Sequence, residues 1–160
     1  MIIESRTPSP ESRRDSGIVA YIDGGARGNP GPAGYGVRIE DEQGELIDEF
    51  HGFLGSSTNN VAEYNGLLAA LRYAQQHGHR VLRIKSDSEL LVKQMKGEYR
   101  VKNAGLQPLY QQARTLAATL DRVAFEHVRR EQNKDADRLA NLAMDEGTKP
   151  VLPPGQRAEG

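Results

Sequence analysis

Apolar residues recur along this chain with two spacings, and each spacing predicts a kind of element. Ile18 to Asp23, "IVAYID", is apolar without a breaker and reads as a central strand. Tyr35 to Glu40 and Glu45 to Phe53 read as two further strands, joined by a hairpin turn at "DEQGE". The spacing then changes. Over Asn60 to Gln76, Tyr64, Leu67, Leu68 and Leu71 share one helical face, with Thr58 or Asn59 placed to cap the start and Gly78 to end it. Val81 to Lys85 is again a strand. Ser88 to Lys96 is a short helix with Leu91, Val92 and Met95 inward, closed by Gly97. Leu106 to Leu120 is a helix that tolerates Pro108 in its first turn. Arg122 to Arg129 alternates as a strand, and Asn133 to Glu146 is a last helix with Leu139, Leu142 and Ala143 inward. Three strands in succession, then alternation with helices, predict an α/β fold on a mixed sheet. An antiparallel meander comes first, and parallel strands are added by crossovers.

The flanks have no such pattern. Residues 1–16 are Ser, Pro and charge and read as a disordered arm; residues 147–160 read as a flexible polar tail. One domain over 17–146 remains. Its 160-residue chain carries a formal charge of −1, so nothing in the total charge announces a polyanion partner, and any nucleic-acid binding must rest on a local patch. The absence of cysteine excludes disulfides, thiolate metal sites and a cysteine nucleophile, and fits a reducing, cytoplasmic setting. No apolar stretch approaches the roughly 18 residues of a membrane span. A monomer is the expected state.

The chemistry lies in where the acids fall. Asp23 ends the first strand, Glu63 stands in the first turn of the first helix, Asp87 follows the fourth strand, and Asp137 opens the last helix. Ligands of sheets with parallel strands gather at the carboxyl ends of those strands. If strands one and four are neighbours, Asp23 and Asp87 end side by side. Four carboxylates together repel one another unless a cation intervenes. Oxygen donors without Cys or a nearby His select Mg²⁺ or Mn²⁺. Each acid also has an ordinary reading alone: Asp23 in an Asp–Gly turn, Glu63 on the helix dipole, Asp87 as a cap, Asp137 as a solvated partner of Lys134.

Four segments, "YIDGGARGNPGPAGYGV", "TNNVAEYNGLLAAL", "IKSDSELLVKQMKGEYRVKN" and "REQNKDADRLANLA", together resemble the type 1 ribonuclease H family, in family order and over roughly Ile18 to Met144. The resemblance implies a ribonuclease H-like fold, a five-stranded mixed sheet in the order 3-2-1-4-5 flanked by helices. It implies endonucleolytic cleavage of the RNA strand of an RNA/DNA hybrid, largely without regard to sequence. The family's four catalytic, metal-holding carboxylates fall on Asp23, Glu63, Asp87 and Asp137, around two Mg²⁺ ions about 4 Å apart. Asn29 matches a position that contacts the RNA strand, and Thr58 and Asn59 match positions that hold the hybrid's backbone. Ser88 and, next to it, Glu89 stand where relatives face the nucleic acid. The six glycines between Asp23 and Val37 would let the chain approach a nucleic-acid backbone closely.

Two departures stand out. Many relatives carry a long basic insert after the second helix; here that interval is only "GEYRVKNAG", the form without the insert. Lys93, Lys96, Arg100 and Lys102 still cluster there and are expected to meet the DNA strand, with Asn103 a candidate for gripping a DNA phosphate. Relatives often place a histidine, thought to help product leave, in the loop before the last aspartate. Here "RREQNKDAD" has none, and Arg129 or Glu131 is expected to take that role. The alternatives in other classes are a noncatalytic hybrid-binding module, an integrase-like nuclease on a related fold, and a domain of a larger polypeptide.

Overall fold

The computed structural model describes residues 17–149; the arm at 1–16 and the tail from 150 onward lie outside the described residues. Five strands form one sheet: β1 (Ile18–Ala26), β2 (Gly31–Asp41), β3 (Leu46–Ser57), β4 (Val81–Ser86) and β5 (Arg122–His127), in the order β3-β2-β1-β4-β5. β1 to β3 are an antiparallel meander, while β4 and β5 join in parallel, as the order of elements required. The helices are α1 (Asn59–Gln76), α2 (Glu89–Met95), α3 (Gln107–Ala117) and α4 (Lys134–Gly147).

The main core lies between α1 and the sheet. Tyr64, Leu67, Leu68 and Leu71 meet Ile18, Ile22, Val37, Ile39, Leu82 and Ile84, all of them buried. Thr58 is the cap of α1, its Oγ1 accepting from the Val61 amide at 3.2 Å. Ser88 caps α2 in the same way through the Leu91 amide, which leaves the Asp87 carboxylate out of any capping role. Helix α4 packs on the other face. Its inward residues are Ala136, Leu139, Ala140, Ala143 and Met144; Leu142, expected inward, is 37% exposed because it falls off that i, i+3, i+4, i+7 stripe.

The glycine-rich stretch is a correction. It is mostly strand, not loop. β1 and β2 stay paired through Gly24 and Tyr35, Gly25 and Gly34, and Ala26 and Ala33, and only residues 27–30 turn the chain. A Cβ on Gly24 would overlap the Ala62 backbone of α1, and one on Gly36 would overlap Ala136 of α4. These two glycines therefore serve protein packing rather than the approach of a ligand. Each lets a helix sit directly on the sheet beside Asp23.

Candidate active site

The β1–β4 register ends on Ile22 opposite Ser86, so the next residues, Asp23 and Asp87, emerge together at the carboxyl edge of the sheet. Glu63 reaches them from α1. It lies in the second turn, not the first, since α1 starts at Asn59; a helix-dipole role is thereby removed. Oxygens of Asp23, Glu63 and Asp87 lie within 4.8 Å of one another, an arrangement able to hold a metal ion. Asp137, in the first turn of α4, hydrogen-bonds the Asp23 side chain and lines the same depression, with Arg130, Asn59 and Asn141.

Burial acts on these acids first. It pushes the Asp23 carboxyl from 3.8 up to about 8, assisted by the Asp87 charge and the hydrogen bond with Asp137, against the Gly24 amide at 2.9 Å. Glu63 rises to about 7, again through burial, with Asp87 adding and Ser88 and Arg130 opposing. Carboxylates held this far above their ordinary range are short of positive charge. The donor set is all oxygen and compact, and a hard divalent cation fits it.

The other predicted residues are placed less simply. Asn29 and Asn59 tie the β1–β2 turn to the start of α1: Asn29 Oδ1 accepts from the Asn59 amide at 3.0 Å, and Asn59 Oδ1 accepts from the Ala26 amide at 2.8 Å. Asn103 Oδ1 is engaged by the Gly105 amide at 2.7 Å. Lys93 is already paired, to Glu89 at 3.1 Å, with its ammonium over the Tyr99 ring. Lys96, Arg100 and Lys102 are exposed and make no ion pair among the described residues. In the loop before α4, Arg129 is not at the acids; its amide donates to Gln132 Oε1, which starts a short 3-10 turn over Arg130–Gln132. That turn carries Arg130 to the acid cluster, and Arg130, Glu131 and Lys134 line a second depression with Asp87 and Asp137.

Sequence reasoning missed Arg130 and also Asn133. Asn133 is 1% exposed, and its Nδ2 donates to the Ile22 carbonyl, one residue before Asp23, at 2.9 Å. Its own carbonyl accepts from the Asp137 amide at 3.1 Å. One residue thus ties the strand bearing Asp23 to the helix bearing Asp137. Its Oδ1 has no partner among the described residues. The sequence signal was only an asparagine at a helix start, which reads as a cap.

A meander extended by two parallel strands, with acids from β1, α1, β4 and α4 at the carboxyl edge, is the ribonuclease H-like fold. The chain belongs to the type 1 ribonuclease H family. A reverse transcriptase-like family model matches residues 21–143. The chain is 38% identical to ribonuclease HI of Halobacterium salinarum, over 83% of this chain and 67% of that protein. It is 46% identical to the bifunctional protein Rv2228c of Mycobacterium tuberculosis over 80% of this chain, but spans only about a third of that relative, 35%. The solved N-terminal RNase H domain of that protein matches with a TM-score of 0.80 at 44% identity, covering 82% of this chain and 96% of the other. LC11-RNase H1 in complex with an RNA/DNA hybrid matches with a TM-score of 0.79 at 41% identity, covering 82% and 99%. Among the described residues no helix is long and apolar enough to cross a membrane.

Proposed function

We propose that this chain hydrolyses the RNA strand of RNA/DNA hybrids endonucleolytically, with divalent ions held by Asp23, Glu63, Asp87 and Asp137. The observation that carries the reading is the convergence of Asp23, Glu63 and Asp87 at one sheet edge, in a chain of this family. Two Mg²⁺ or Mn²⁺ ions bound there would activate a water for attack on the scissile phosphate and stabilise the leaving 3′ oxygen. Asp23, central among the acids, is the ligand both ions would share. Arg130 and Lys134 set positive charge at the rim, where it draws in a phosphate. Arg130, with Glu131, takes the loop role for which the sequence suggested Arg129 or Glu131. Asn29, Thr58, Asn59 and Ser88 border the RNA side. Lys96, Arg100, Lys102 and Asn103 border the DNA side.

The assay offers labelled RNA/DNA hybrid, double-stranded RNA and single-stranded RNA, each with Mg²⁺, Mn²⁺ or EDTA. Cleavage of the hybrid alone, dependent on metal, is expected. Equal cleavage of all three would overturn the reading. Replacing a stretch of the RNA with 2′-deoxy nucleotides should stop cutting within that stretch, because selection rests on 2′-hydroxyls across a wide minor groove. Comparable cutting of an all-DNA duplex would favour the integrase-like alternative.

The basic helix gives a further prediction. Lys93→Ala with Lys96→Ala should raise KM and flatten its salt dependence, by roughly one unit of slope for each phosphate that no longer meets a lysine, with kcat little changed. Lys96→Ala should account for most of the change, since Lys93 is held by Glu89 and Tyr99. KM measured at several KCl concentrations decides it. An unchanged slope would make these lysines a solvated helix face.

A further inference from the structure

Among the described residues some cations are held by acids, while others, Arg100 and Lys102 among them, are not. On the β2–β3–α4 side and across the outer face of β4 the cations are paired: Arg27 with Asp145, Arg38 with Glu40 and Glu49, Arg138 with Glu49, Arg83 with Glu42 and Glu126. Along the free edge of β5 Arg80 is paired with Asp121, but three further cations have no acid. Lys96, Arg114 and Arg122 have no acidic partner among the described residues, although the Arg114 guanidinium lies over the Tyr110 ring, and all three line one cleft of about 600 Å³. The floor of that cleft is apolar, formed by Met95, Leu120, Val123 and Phe125, of which Val123 and Phe125 are only half-buried. Its one acid, Asp121, is engaged by Arg80 at 2.8 Å, which holds its carboxyl below the usual range.

An apolar floor under three cations without acidic partners matches one ligand chemistry, a nucleotide whose base lies on the floor and whose phosphates meet the rim. The cleft shares no residue with the depression that holds the acids. It is nevertheless linked to it. Helix α2 begins at Ser88, beside the acids, and delivers Lys96 to the cleft after roughly 12 Å of helix. We infer that this cleft is a second nucleic-acid site, which takes the single strand continuing beyond a hybrid held at the acids. The inference rests on the proposed hybrid-binding reading and extends it to the flank of the substrate.

The test separates the two. Binding is measured by fluorescence anisotropy with the Asp23→Asn chain, on a blunt hybrid and on the same hybrid with a single-stranded DNA overhang of about eight nucleotides. The overhang should tighten binding roughly tenfold, the equivalent of one stacked base. Arg114→Ala with Arg122→Ala should abolish that gain. In a chain retaining Asp23, the same pair of substitutions should leave the rate of blunt-hybrid cleavage unchanged, which also shows that the variant folds. An overhang without effect, or a gain that survives in the double variant, would overturn the inference. Self-association abolished by the same variant would overturn it as well, by assigning the cleft to a second copy. Failure of the original chain to cut a blunt hybrid would instead strike the functional reading, while the binding comparison still decides the cleft.

Discussion

Asp23→Asn is expected to abolish hybrid cleavage while making the metal-free protein more stable. On the proposed reading Asp23 is a metal ligand, and its loss should lower kcat by on the order of a thousandfold or more, since a bound metal contributes several kcal/mol and about 1.4 kcal/mol is tenfold. The gain in stability follows from the raised pKa. In the folded chain the Asp23 carboxyl keeps its proton up to about pH 8, against 3.8 in an ordinary setting. Between those limits the folded state binds more protons than the unfolded one, so its stability falls as pH rises. The asparagine has no charge to bury. The Tm difference between variant and original chain should therefore be largest above about pH 8 and vanish towards pH 4. Added Mg²⁺ should raise the Tm of the original chain and leave that of the variant nearly unmoved. Differential scanning calorimetry across pH, with EDTA and with Mg²⁺, measures both. Substantial Mg²⁺-dependent cleavage by the variant would remove Asp23 from the site.

Asn133→Ala is expected to lower kcat by about 10–100-fold with KM little changed, the usual effect of losing a partner that orients a metal's ligands. The argument starts from the amide itself. A buried amide with half its polarity unmet is a poor choice for stability alone. What it does supply is a fixed distance between the Ile22 carbonyl and the first turn of α4. Removing it should cost about 1–3 kcal/mol of stability and let Asp137 drift from Asp23. Asn133→Asp should be worse than alanine, since it cannot donate to Ile22 and adds a buried charge. Mn²⁺ affinity by titration calorimetry is the readout that decides between roles. Unchanged affinity and kcat, with only Tm reduced, would make Asn133 a purely structural residue.

Much of this was legible in the sequence, and the pattern of success has a physical basis. Alternation and helical spacing report burial directly, so the five strands, their mixed sheet and the inward face of α1 followed from side chains, while the sheet order came from the family resemblance. Strand ends placed Asp23 and Asp87 together once β1 and β4 were neighbours, as they are. Glycine leaves no such pattern, which is why paired strand over Gly24, Gly25 and Gly31 to Gly34 reads as loop. The alanine stripe of α4 faces glycines rather than large apolar residues, so Leu142 was drawn inward by hydrophobicity alone. Arg130 rather than Arg129 reaches the acids because of a single 3-10 turn, and one residue of phase there is beyond any propensity. The Glu89–Lys93 pair has the ordinary i, i+4 helix spacing, but the Tyr99 ring folding back over Lys93 is an arrangement that no spacing rule contains.

Gly24 and Gly36 bear on how members of such a family are told apart. At both positions the fold depends on an atom that is missing, and the distance from Glu63 and Asp137 to Asp23 is set by that omission. A methyl group at either place would act as a wedge, lifting α1 or α4 from the sheet and widening the gap between the acids. A related chain could thus retain all four carboxylates and still be inert. Counting acids is an insufficient criterion for activity; the two empty positions beside them have to be counted too.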